Sequence, residues 1–124
     1  IAKEVRKLNY NPSLYGYTDT SWDPRYLDPK DEKNFTYESP MEGFDDGCVL
    51  PGGKPEAWAN HLNNNGFKIN KSEDLYEGRK PKDGEAFVYE PYHIPTEYSD
   101  TAFLAGKVIN DLKNMKDLLK KFGH

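Results

Sequence analysis

The sequence predicts an α+β fold: a small domain with two helices, at about 55–65 and 100–122, and one or two short strands, preceded by a long irregular N-terminal arm rich in aromatic residues. Three observations carry this. The last segment has an unbroken helical apolar period, a shorter capped helix precedes it, and a Pro-broken aromatic stretch occupies the front of the chain. The organisation that follows is an extended Tyr/Pro/Asp-rich arm with its hinge over 1–53, and an α+β domain ending in an amphipathic helix over 54–124.

The C-terminal helix is the clearest element. Leu104, Val108, Leu112, Met115, Leu119 and Phe122 recur at helical spacing and fall within about 80° of one another on a helical wheel. Ser99 or Asp100 can cap its start, and Gly123 stops it. Lys113, Lys116 and Lys120 lie off the stripe, and the late lysines complement the helix dipole. The stripe is expected to be buried. Upstream, Pro55 and Glu56 open a helix in which Trp58, Ala59 and Leu62 share a face, and Gly66 closes it. Phe67-Lys68-Ile69 and Glu85 to Glu90 alternate and read as short strands. Trp58, Leu62, Phe67 and Phe87 are the expected core beneath the last helix.

The front of the chain reads differently. Tyr10, Tyr15, Tyr17, Trp22, Tyr26, Phe35, Tyr37 and Phe44 are accompanied by few large aliphatic residues, and Pro12, Pro24, Pro29 and Pro40 interrupt any period. Such a stretch does not make an ordinary core, yet bare rings in water are a liability. It is expected to lie as an arm on another surface. Gly43 to Gly53 reads as a turn-rich hinge around Cys48-Val49-Leu50.

Composition narrows the function. Seventeen Lys+Arg against twenty-one Asp+Glu leave a net charge of −4, which disfavours a partner bound by phosphate neutralisation, so no nucleic acid is expected. Seventeen aromatics in 124 residues argue against a disordered chain, and no apolar run is long enough to span a membrane. Cys48 is alone, which excludes a disulfide scaffold. The acids around Asp28 and Asp45 lack the alternate spacing of a calcium loop, and Gly52-Gly53-Lys54 lacks phosphate-loop spacing. No metal or cofactor is therefore expected. The chain opens at Ile1 without a signal segment, as a processed, fragmentary or trimmed chain would. The compartment stays open, organellar and secreted included. Sequons stand at Asn34-Phe35-Thr36 and Asn70-Lys71-Ser72, where chance gives about 0.8, so two discriminate little.

The leading expectation is an acidic, soluble accessory subunit, more a binding protein than an enzyme, that docks on one or more larger protein subunits through its aromatic arm and terminal helix. Tyr15, Tyr17, Trp22, Arg25 and Tyr26 would supply the contacts, since Tyr, Trp and Arg anchor interfaces. Asp111, at the edge of the apolar stripe, would need a partner there. The first alternative is a module binding carbohydrate or another small polar ligand on the same rings. The second is a small hydrolase using His93 and Glu97, because a carboxylate near an imidazole can hold its pKa close to neutral. His61 reads as solvated or capping, and His124 as terminal.

Overall fold

The computed structural model describes residues 1–20, 22–35 and 41–123. Thr36 of the first sequon, Tyr37 and Pro40 of the aromatic stretch, and His124 lie outside the described residues. The chain is a small α+β domain. Helices α2 (Glu56–Asn64) and α3 (Asp100–Phe122) stand where the periodicity places them. A third helix, α1 (Ala2–Lys7), and two strands, β1 (Ser13–Gly16) and β2 (Asp45–Val49), precede them. Short 3-10 turns occupy Pro24–Tyr26, Glu32–Phe35, Ser72–Leu75 and Thr96–Tyr98.

Both strands fall in the stretch expected to be irregular. They pair in parallel, with Ser13 opposite Asp45, Leu14 opposite Asp46, Tyr15 opposite Cys48 and Gly16 opposite Val49. Gly47 is the extra residue of a bulge. Neither strand alternates, since β1 is Ser-Leu-Tyr-Gly and β2 begins Asp-Asp-Gly, so a period-2 search passes over them. A charged pair ties α1 to the start of β2: Arg6 donates to the Gly43 carbonyl and, at 2.7 Å, to Asp45 Oδ1. Gly43 has φ +98°, and a Cβ there would stand 3.0 Å from the Lys3 amide nitrogen. The turn therefore requires glycine for conformation and for space.

The two expected strands further on are not formed. At Phe67–Ile69 the Asn63 side chain takes the place of a neighbouring strand: it accepts from the Ile69 amide at 2.8 Å and donates to the Ile69 carbonyl at 3.1 Å. Phe67 turns edge-on to Tyr98, centroids 5.1 Å apart. Over residues 85–90 no ladder forms. Phe87 and Tyr89 are exposed, and Arg79 donates to the Glu90 and Pro91 carbonyls at 2.9 Å each.

The core comprises Leu50, Trp58, Ala59, Leu62, Leu75, Ile94 and Phe103, with Cys48, Phe67, Tyr98 and Leu104 packed around it. Trp58 and Leu62 are as expected. Phe87 is not in it, and its place is taken by Leu75 and Ile94 from the polar middle of the chain. Trp58 also donates its indole N–H to the Tyr98 carbonyl at 2.8 Å, satisfying the one polar group it buries.

Ser99 caps α3 by accepting from the Ala102 amide at 3.1 Å. Only the first half of α3 is packed. Phe103 is buried and Leu104 half-buried, but Leu112, Met115, Leu119 and Phe122 are exposed. The expectation of a fully buried stripe is corrected: the two short strands are far shorter than the helix and cover only its first turns. Among the described residues no helix is long and apolar enough to cross a membrane.

Candidate functional site

In sheets of parallel strands, ligands bind in the crevice outside the carboxyl ends. Here those ends are Gly16, followed by Tyr17, and Val49, followed by Leu50-Pro51-Gly52. Gly16 has φ +102°, which turns the chain sharply as it leaves β1. A cavity of about 310 Å³ opens at this position, lined by Tyr17, Gly52, Tyr76 and Asp100. Four separate stretches of sequence meet there: the exit of β1, the exit of β2, the residue after the Ser72–Leu75 turn, and the first residue of α3.

Asp100 organises the site. Its Oδ2 accepts from the Tyr76 hydroxyl at 2.9 Å, and its Oδ1 accepts from the Thr101 amide at 2.7 Å. The Tyr76 ring leans on Trp58, centroids 5.6 Å apart. Burial, followed by the bond to Asp100 and its negative charge, pushes the Tyr76 hydroxyl well above its ordinary value. Tyr76 thus stays a neutral donor throughout the physiological range. Tyr92 stands behind it, donating to the Leu75 carbonyl at 2.7 Å beneath the Arg79 guanidinium. Burial, then the Asp100 charge, raises Tyr92 too, and Arg79 opposes the shift. The crevice therefore presents phenolic hydroxyls and one oriented carboxylate, suited to hydrogen-bonding a polar substrate against aromatic walls.

Of the candidate site residues named from sequence, Tyr17 alone lines this crevice. Tyr15 lies over Gly47 and donates to the Asp111 carboxylate, so these two meet each other between β1 and α3. That bond, then burial, raises the Tyr15 pKa. Trp22 lines a cavity of about 450 Å³ beside α1, with Thr20, Asp23, Met41 and Glu42, and the Lys33 ammonium stands 4.6 Å from its ring. Arg25 is engaged by Asp23, with Nη2 2.6 Å from Oδ2, and lies 5.9 Å from the exposed Tyr26 ring. That pair holds the Asp23 carboxyl at about 2, chiefly through the Arg25 side chain.

The structure does not bring His93 and Glu97 together. His93 borders a cavity with Lys68, Asn70 and Asp74, its ring 4.6 Å from that of Tyr92. Glu97 borders a different groove with His61, Phe103 and Lys107, where His61 packs on Phe103 at 5.0 Å. Cys48 is half-buried, and burial pushes its thiol up, away from the reactive thiolate. Among the described residues no group of three or more His, Cys, Asp or Glu is placed to hold a metal ion. Sequence reasoning missed Tyr76 and Asp100 as site residues. They lie 24 positions apart and share no local motif, and Asp100 reads as a helix cap.

The chain has counterparts of known structure. The chain resembles phosphonate monoester hydrolases. It is 38% identical to the phosphonate monoester hydrolase SpPMH from Silicibacter pomeroyi, with a TM-score of 0.70 over 88% of this chain. It is 36% identical to the phosphonate monoester hydrolase of Agrobacterium radiobacter, with a TM-score of 0.74 over 91% of this chain. It is also 31% identical over 117 residues to PehA of Trinickia caryophylli, a multifunctional alkaline phosphatase superfamily protein. In each case the chain spans 22% of the length of the relative. No protein-family model matches it.

These relatives overturn the leading expectation. The accessory-subunit reading is corrected: the proteins this chain resembles are hydrolases, and they lend nothing to an auxiliary role. The misreading has a physical source. An aromatic-rich stretch with too few aliphatic partners looks the same whether it belongs to a docked subunit or to part of a larger fold. The hydrolase alternative fares better, although the relatives are much longer than a small hydrolase of this size.

Proposed function

We propose that this chain is a segment of a hydrolase of the alkaline phosphatase superfamily that cleaves phosphonate monoesters, and that the crevice at the carboxyl ends of β1 and β2 forms part of its substrate pocket. The observation that carries the reading is identity of 36–38% with two phosphonate monoester hydrolases over 88–91% of the chain, at TM-scores of 0.70 and 0.74. The position of the crevice supports it, because strand ends are where parallel sheets hold their ligands. Tyr17 and the Tyr76–Asp100 pair would there orient the substrate by hydrogen bonds. Spanning 22% of such enzymes, the isolated chain is expected to hydrolyse nothing by itself.

The test is a graft. The 124 residues replace the matching stretch of the Agrobacterium radiobacter hydrolase, and release of the alcohol from a chromogenic aryl phosphonate monoester is followed. Activity that falls about tenfold or more on Tyr17→Phe or Asp100→Asn is expected, the order that one lost polar contact in a site gives. A folded graft that turns over no phosphonate monoester refutes the reading.

A further inference from the structure

The crevice at the strand ends is lined by one charged group, and its charge is negative. Tyr17 and Tyr76 supply rings, Gly52 supplies backbone, and Asp100 supplies a half-buried carboxylate. Among the described residues no cation pairs with Asp100. The basic side chains of the adjoining stretches are engaged elsewhere: Lys54 faces Glu73 at 3.7 Å, and Arg79 donates to the Glu90 and Pro91 carbonyls at 2.9 Å each. The start of α3 offers nothing to an anion either. Helix N-termini attract anions through unpaired amides, but here those amides are taken within the chain. Thr101 N–H donates to Asp100 Oδ1 at 2.7 Å, Ala102 N–H to Ser99 Oγ at 3.1 Å, and Phe103 N–H to the Ser99 carbonyl at 2.9 Å. Asp100 itself offsets the positive end of the helix. The Tyr76 hydroxyl is committed to Asp100 as well. A monoester's negatively charged phosphoryl oxygens would therefore meet a like charge here, with no free cation to offset it.

We propose that this crevice receives an organic substituent of the substrate rather than its phosphoryl group, and that it selects substituents ending in an ammonium group. This rests on the hydrolase-segment reading. Asp100 accepts from the Tyr76 hydroxyl, the Thr101 amide and, at 3.4 Å, the Thr101 hydroxyl. A carboxylate has about four acceptor positions, so room is left for one further donor, and its charge is still to be balanced. The exposed rings of Tyr17 and Tyr76 stand beside it, and phenol faces attract a cation within ~6 Å. An alkylammonium meets both demands at once, donating to Asp100 while its charge lies against the rings. A hydroxyl meets only the first.

Two substrate series on the graft into the Agrobacterium radiobacter hydrolase test this. In the first, para-nitrophenyl monoesters of aminoethyl-, hydroxyethyl-, propyl- and carboxyethylphosphonate are compared by nitrophenolate release, placing the variable group on the carbon side of phosphorus. In the second, aminoethyl, hydroxyethyl and propyl monoesters of phenylphosphonate are compared by phosphorus NMR, placing it on the alcohol side. The aminoethyl compound is expected to exceed the propyl and hydroxyethyl compounds about tenfold in kcat/KM in one series, which also tells which side of the substrate the crevice holds. The carboxyethyl compound should be the poorest. Asp100→Asn should bring the aminoethyl-to-propyl ratio to about one, whatever it does to both rates. The unaltered graft should lose most of the preference as ionic strength rises from about 10 mM to about 1 M, where screening shortens from ~30 Å to ~3 Å; this measurement decides if the variant does not fold. Equal rates in both series, a preference that survives Asp100→Asn, or one indifferent to salt overturns the proposal. If the whole graft does not fold, the crevice stretches 16–18, 50–53, 75–77 and 99–101 are grafted alone and read in the same way. A folded graft inactive on every ester refutes the hydrolase reading, whereas an active graft without the preference refutes only the ammonium subsite.

Discussion

Gly47→Ala is the most discriminating single change. Gly47 is the bulged residue of β2, and the hydroxyl end of the Tyr15 ring stands where its side chain would go. An added Cβ would stand 2.5 Å from Tyr15 Cζ and 2.7 Å from the ring carbons on either side. An aromatic ring cannot yield by flexing, so it must move as a body. Moving it draws the hydroxyl away from Asp111, 96 positions along the chain. Overpacking costs about 1–3 kcal/mol, and a lost hydrogen bond to a charged group about 1.5–3 kcal/mol. Because the site is only partly buried and one displacement causes both losses, the sum is about 2–4 kcal/mol, a substantial part of the 5–15 kcal/mol that domains have.

Urea unfolding followed by Trp58 fluorescence measures the cost, and Tyr15→Phe supplies the second arm of a double-mutant cycle. In the Phe background the bond is already gone, so Gly47→Ala should cost about 1–2 kcal/mol less than in the parent. A cost below about 0.5 kcal/mol, or the same cost in both backgrounds, would refute the linkage of bulge, ring and helix. Alkaline titration gives an independent sign. The Tyr15 pKa is raised in the folded chain, so its stabilisation is fully present below the unfolded value of about 10 and is lost as pH rises through the folded value. Gly47→Ala should flatten that alkaline loss.

Leu62→Ala should cost about 2–5 kcal/mol because its side chain is fully buried, whereas Leu112→Ala, at 59% exposure, should cost under about 1 kcal/mol in the isolated chain; chemical denaturation of both variants checks the contrast. Gly43→Ala should lower the melting temperature, since a left-handed φ alone costs about 1–2 kcal/mol and the new methyl presses on α1. The Tyr76 and Tyr92 pKa values are both raised, so stability present below about pH 10 falls as pH rises through their folded values, and Tyr76→Phe should lessen that fall in a melting series. Asp23 is held at about 2 by Arg25; its ion pair should persist as pH falls below 4 and be lost near 2, seen by NMR titration of the Asp23 carboxyl, with Arg25→Gln returning it to the usual range.

How far the sequence carried the fold depended on how local each signal was. α2 and α3 were legible because their information is packed within single turns: Ser99 caps, Gly66 and Gly123 stop, and the apolar spacing does the rest. β1 and β2 were not, because a parallel ladder joins residues about thirty positions apart and leaves no alternation when one strand begins with two aspartates. The strands read at Phe67 and Glu85 show the converse error. Alternation was present there, but Asn63 and Arg79 supplied hydrogen bonds that a partner strand would have given. The crevice was the least legible part. Tyr17 could be suspected as an aromatic in an odd place, whereas Tyr76 and Asp100 acquire meaning only once α3 starts beside the turn that carries Tyr76. The exposed stripe of α3 completes the argument. Its periodicity gives the apolar face but not how much of that face is covered: Phe103 is buried, whereas Leu112, Met115, Leu119 and Phe122 are exposed. Burial is decided by contacts distant in sequence, and β1 and β2, four and five residues long, reach only the first half of a 23-residue helix.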